Sequence, residues 1–187
     1  MVDRPSPIAA GALAIAPLLL LTSTVLYALG DGFNNSAPGG AVQFWALVAF
    51  TVGLLGLVRR LEDHSISTAG WLTLLVVIGG AGGVGFGIDT QHAAINGATR
   101  LLDTGSIAPQ VSLALAGALF PVSVIAVAIA TGRAGLINRT AMVLAVVGAV
   151  LFPASRIPGI AVLGILADLV LVAALVPVGL AALRGRT

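Results

Sequence analysis

Residues Ile88–Asp103, IDTQHAAINGATRLLD, form the longest polar interruption in an otherwise apolar chain. Three apolar stretches precede it and three follow, so its reading sets the topology. Wound as an α-helix at about 100° per residue, it brings Asp89, His92, Asn96, Arg100 and Asp103 within an arc of about 80°. Ala94, Ile95, Ala98, Leu101 and Leu102 fall on the opposite side. That pattern predicts a short amphipathic helix lying at a membrane surface. Gly97 in its middle weakens the helix by about 1 kcal/mol, so a bent, partly re-entrant segment is the alternative.

Outside this segment the chain is oily. Of 187 residues, 58% are hydrophobic and only 9% charged, against about 25% charged in a soluble domain. A water-soluble core is therefore excluded as the simplest reading, and a lipid bilayer becomes the expected surroundings. All nine basic residues are arginine, and the formal net charge of +2 is too small for a nucleic-acid partner. Without lysine there is no Schiff-base chromophore on that side chain; without cysteine there is no disulfide, thiolate metal site or cysteine nucleophile. Two histidines argue against a multi-haem protein.

A bilayer core of about 30 Å needs about 20 apolar residues per helix. Six such spans are read, near residues 7–29, 41–58, 69–88, 109–131, 140–155 and 158–183. The predicted fold is all-α, a polytopic bundle of six transmembrane helices with the amphipathic outer-face helix between the third and fourth, forming one integral membrane domain. Arg4, Arg59, Arg60, Arg133, Arg139, Arg184 and Arg186 share one side of this arrangement, and only Arg100 and Arg156 share the other. The positive-inside bias places both termini in the cytoplasm of a cell (inner) membrane. The first span has the ingredients of a signal peptide, with Arg4 before it and Ala28 and Gly30 after it. Its length reads as a retained helix.

The third span contains GGAGGVGFG, Gly79 to Gly87. Gly79, Gly83 and Gly87 repeat every four residues, the small-xxx-small spacing that lets helices approach closely. Such a face suits packing within the chain, a membrane-protein partner or a homo-oligomer. Gly80, Gly82 and Gly85 match GxGxxG formally, but a dinucleotide site needs a preceding strand, and this run sits inside an apolar span. The likeness of LVAFTVGLLGLVRR (Leu47–Arg60) to LVAALVPVGLAALR (Leu171–Arg184) does not fit an inverted repeat, which would pair the second span with the fifth. Asn34-Asn35-Ser36 and Asn138-Arg139-Thr140 match glycosylation sequons by accident of pattern.

Asp168 is the sharpest candidate residue. It falls about ten residues into the sixth span, about 15 Å deep on a rise of 1.5 Å per residue. A carboxyl group there costs about 2.5–3.5 kcal/mol on insertion scales, so it is expected to face the bundle interior with a partner. Thr51 lies at the same depth, Thr22 and Ser23 slightly shallower and Ser123 somewhat deeper, a belt of hydroxyls able to solvate the acid. Either Asp168 binds a proton or ion, or it is a neutral acid making an interhelical hydrogen bond. In the polar row, Asp89 stands three residues before His92 and is placed to fix its tautomer. Arg100 and Asp103 form an i,i+3 pair worth tenths of a kcal/mol if exposed. His92, Asn96 and Arg100 either line an outer vestibule or simply face water.

No cofactor is called for. Asp89, His92 and Asp103 could supply three metal ligands, but no HExxH or clustered-histidine spacing accompanies them. Glu62, Asp63 and His64 follow Arg59-Arg60 in a turn where mutual neutralisation suffices. Tyr27, Trp45 and Trp71 stand near span ends as belt aromatics. Three functions fit these residues. The first is transport or permeation of a small solute or ion with Asp168 as coupling group. The second is a structural or accessory subunit. The third is an intramembrane enzyme on an isoprenoid-like substrate with Asp168 or Asp89 as general acid.

Overall fold

The computed structural model describes residues 6–30 and 35–185. Arg4 and Arg186, counted above for orientation, and Asn34 of the first sequon lie outside them. Six helices are long and apolar enough to cross a membrane: α1 (Pro7–Ala28), α2 (Ala37–Leu61), α3 (Ile66–Asn96), α4 (Ile107–Arg133), α5 (Arg139–Arg156) and α6 (Ala161–Leu183). No strand occurs among the described residues.

Local chemistry starts these helices. Pro7 opens α1, where its missing N–H costs no intrahelical bond. Ser36 and Ser65 accept hydrogen bonds from Gly39 N and Thr68 N at the starts of α2 and α3. Asn138 accepts from Ala141 N at 2.8 Å at the start of α5. Each cap satisfies a backbone donor that a helix start would otherwise leave without a partner.

The separate amphipathic helix expected between the third and fourth spans is not formed. Nothing in IDTQHAAIN stops a helix, so residues 88–96 become the last turns of a 31-residue α3. That helix is about 45 Å long, well beyond the bilayer's hydrocarbon thickness. It ends where Gly97 takes φ 58°, a left-handed cap that favours glycine. Beyond the break, Leu101–Thr104 makes one 3₁₀ turn before α4 begins. Arg100 and Asp103 therefore leave the helical face they were expected to share with Asp89, His92 and Asn96. The first turns of α4 include a π-helical stretch, Gln110–Leu115.

Each helix packs on its neighbours in sequence, and α6 closes back on α1, so the six form an up-and-down ring. One end carries the start of α1, the end of α6 and the α2–α3 and α4–α5 turns; it is called the terminal end below. The other carries Arg156 and the remaining connections. The interior is filled. Phe50 of α2 meets Phe120 of α4 edge to face at 5.2 Å, and Phe120 meets Phe152 of α5 at 5.4 Å. Leu20, Leu47, Leu54, Leu171 and Leu175 pack in the same core.

Glycines set the helix spacing. A Cβ on Gly79 would stand 2.6 Å from Phe120 N, and one on Gly83 would stand 2.8 Å from Leu47 Cδ1. One on Gly87 would meet Gly40 O at 3.0 Å. The close approach predicted by their spacing is thus made within the chain, with α3 clasped between α2 and α4. A second copy or another protein engaging those three glycines would have to displace one of these helices. Apolar side chains cover the outside, among them Trp45 and Trp71. Tyr27, expected beside them as a belt aromatic, instead turns inward and is buried, its ring lying over Gly39.

Candidate functional site

Asp168 is fully buried, as its place in an apolar span demands, on the face of α6 that also presents Gly164, Leu171 and Leu175 to the interior. It lies seven residues into α6, so its depth below the helix start is about 10 Å rather than 15 Å. Its partners come from two other helices. Thr24 of α1, itself fully buried, donates its hydroxyl to Asp168 Oδ2 in a short hydrogen bond. Arg156, the last residue of α5, directs Nη2 to Asp168 Oδ2 at 3.2 Å and Oδ1 at 3.4 Å, and to Thr24 Oγ1 at 2.7 Å. The arginine side chain is only 9% exposed.

Backbone geometry explains why these groups meet. A Cβ on Gly148 would touch Leu171, which sets α5 against α6 so that Arg156 stands nearer the end of the bundle than Asp168. Cα–Cβ bonds tilt toward a helix's N-terminus. Because α5 and α6 run in opposite directions, Arg156 leans inward and Asp168 leans toward it. On the way the guanidinium crosses the Phe152 ring, with Cζ 3.8 Å from the centroid, a cation–π contact that holds charge over an apolar surface. Nη1 reaches Ser155 Oγ at 3.4 Å.

The belt of hydroxyls expected around the acid does not form. Thr51 Oγ1 donates to Leu47 O at 2.8 Å and lies against Gly80; Ser123 Oγ donates to Phe120 O at 2.6 Å. Thr22 donates to Leu18 O, and Ser23 donates across to Gly39 O of α2 at 2.8 Å. Thr51 and Ser123 bond back to their own helices because a helical hydroxyl finds the carbonyl three or four residues earlier within reach. The hydroxyl that matters is Thr24. Tyr27, Gln43 and Thr90 are also buried near the Arg156 end, with the Tyr27 phenol beside Ser23 and Thr90. Gln43 Oε1 is buried without a hydrogen-bond partner among the described residues.

The remaining candidates stand apart from this cluster. Asp89 does not hold His92: its Oδ1 accepts from Leu101 N at 2.9 Å, pinning the 3₁₀ turn to α3 across the Gly97 break, and its Oδ2 has no partner among the described residues. His92 is exposed, with Nδ1 at 3.1 Å from Asn96 Nδ2. Arg100 and Asp103 form the expected pair, Nε to Oδ2 at 2.8 Å and Nη2 to Oδ1 at 3.2 Å, in a partly exposed loop. Glu62 and Asp63 border a shallow depression at the terminal end with Ile66, Ala69, Gly70 and Thr73.

Sequence reasoning missed Arg156 and Thr24. Arg156 falls between the fifth and sixth spans as read from the sequence, twelve residues before the acid of the sixth span, and that acid is expected to need a partner. No protein-family model matches the chain, and comparison with curated proteins and with solved structures finds no match.

Proposed function

We propose that the protein is a small multi-pass membrane transporter in which Asp168, with Arg156 and Thr24, is the solute-binding and coupling group. The carrying observation is the Arg156–Asp168 pair, with the carboxylate fully buried and the arginine side chain 9% exposed, inside a largely apolar bundle. A buried ion pair is weak support for stability, because apolar residues of similar volume often do as well or better. Ionisable residues inside membranes, by contrast, commonly mark pathways and relays. Arg59, Arg60, Arg133, Arg139 and Arg184 end or begin helices at the terminal end, whereas Arg100 and Arg156 are paired with Asp103 and Asp168. The positive-inside rule then puts the terminal end in the cytoplasm and the ion pair toward the outer leaflet. The exposed His92–Asn96 turn of α3 and the Arg100 loop would border the outer entrance.

The test is exchange in proteoliposomes. Labelled guanidinium, tetramethylammonium, glycine and methanesulfonate are presented in turn to vesicles carrying the wild type, Asp168→Asn or no protein. At least one probe should exchange faster with the wild type than with either control. Equal rates in all three preparations for every probe would refute transport of small charged solutes.

A further inference from the structure

We infer that the Asp168 site takes a small organic cation, an ammonium or guanidinium group, and that Arg156 is a tethered cation occupying the site until such a solute displaces it. This rests on the transport reading above and names its solute class.

The carboxylate has acceptor capacity to spare. Among the described residues Asp168 Oδ2 accepts from Thr24 and Arg156, whereas Oδ1 has only the 3.4 Å contact from Arg156 Nη2. An ionised carboxylate has about four lone-pair positions to fill. Gln43 places a further acceptor at the same depth in the bundle. Tyr27 packs on Gly39 and Leu13 on Gly53, a register that sets Gln43, four residues beyond Gly39, abreast of Ser23, four residues before Tyr27. Thr24 is therefore next to that level, and Gln43 is 3% exposed with Oε1 unpartnered. An anion would add another acceptor beside Asp168, whereas a cation with several N–H groups would meet the under-used Oδ1.

Arg156 already shows how such a group is held. Its guanidinium rests on the Phe152 ring and touches Asp168 and Thr24, and carboxylate, hydroxyl and aromatic face together make a cation-recognising surface. It enters from the last residue of α5, next to a turn in which Gly159 takes φ 69° and Ile157 and Ile160 are exposed. In this proposal Arg156 withdraws toward the bundle end by rotation about its side-chain bonds. A tethered group competes at an effective concentration of about millimolar or more, so removing it should tighten binding of a free cation markedly.

The test is thermal unfolding of the purified full-length chain in detergent, at constant ionic strength, with guanidinium or methylammonium from micromolar to tens of millimolar and methanesulfonate as the anionic probe. Guanidinium or methylammonium should raise the wild-type midpoint saturably. Arg156→Gln should half-saturate at a concentration at least tenfold lower, and Asp168→Asn should show no response. Gln43→Leu, which keeps the ion pair, should weaken the response at least threefold and keeps the proposal testable if Asp168→Asn does not fold. Stabilisation by methanesulfonate instead, equal half-saturation in wild type and Arg156→Gln, or no response in either would overturn the proposal. A saturable cation response without vesicle exchange would uphold the site and sink transport. Exchange of methanesulfonate alone would uphold transport and sink the cation.

Discussion

Replacing Arg156 and Asp168 separately and together distinguishes a pair kept for function from one kept for stability. Arg156→Met leaves a fully buried carboxylate with the Thr24 hydroxyl as its remaining donor among the described residues. Removing one partner of a buried pair costs about 3–5 kcal/mol. The methionine sulfur retains part of the contact with Phe152, so the lost charge dominates. For a chain of this length each kcal/mol moves the thermal midpoint by about 2–4 °C, so the single variant should unfold about 6–20 °C lower. Adding Asp168→Leu removes the stranded charge and restores volume in the core beside Leu171. The double variant should recover to within about 1 kcal/mol of wild type, as buried pairs replaced by apolar groups do. Midpoints in one detergent, with exchange measured in parallel vesicles, give both readings; the double variant should be stable and inactive. A double variant as unstable as Arg156→Met would show that the pair is a structural staple, and the main support for a transport site would fall.

Gly79→Ala places a methyl group 2.6 Å from backbone N of Phe120, which cannot swing aside, and should cost about 1–3 kcal/mol in thermal unfolding; Gly70→Ala, with open space at that position, should be neutral or stabilising by up to about 1 kcal/mol. Asp89→Ala removes the acceptor of Leu101 N, a contact worth about 1.5 kcal/mol or more, so amides in residues 98–104 should exchange with solvent about tenfold faster, while Asp89→Asn keeps an acceptor and most of the protection. The absence of native cysteine makes topology readable by labelling. His92→Cys in intact cells should react with a membrane-impermeant maleimide, and His64→Cys only after permeabilisation; the reverse pattern would invert the orientation argued from the arginines.

Most of the fold was legible because span length and hydropathy are local quantities. The six apolar stretches became six helices, with the largest boundary change at α3, where residues 88–96 continue the span until Gly97 ends it. That ending depends on one glycine entering the left-handed region, a choice an amphipathic periodicity across residues 88–103 does not register. Burial of Asp168 was legible from the cost of an acid in an apolar span. Its partners were not. Arg156 is brought inward by the tilt of its Cβ and by the extension of α5 through Pro153, neither of which follows from its position beside a turn. Depth along the chain also fails to separate Thr24 from Thr51, because the difference lies in rotation about the helix axis. Thr24 faces α6, whereas Thr51 returns its proton to Leu47 O and lies against Gly80.

If the protein is the transporter proposed above, the arrangement fixes where its cycle must do work. Toward the terminal end from the polar level, α1 presents Leu20, Ala16 and Leu13, α2 presents Leu47, Phe50 and Leu54, and α6 presents Leu171, Leu175 and Val178, all buried. No group along those faces could replace the contacts a cation makes at Asp168, so passage requires the helices to separate rather than side chains to rotate. In the proposed cycle entry requires less, because only Arg156 withdraws. The proposed site is then closed by a side chain on the Arg156 side and by packed helices on the other. A substitution that loosens the apolar half, such as Phe50→Ala, should therefore speed exchange relative to binding, whereas Arg156→Gln should strengthen cation binding without opening the far side. If Arg156→Gln alone produced a leak of guanidinium through vesicles in the absence of exchange partner, the apolar half would not be the second barrier that its packing implies.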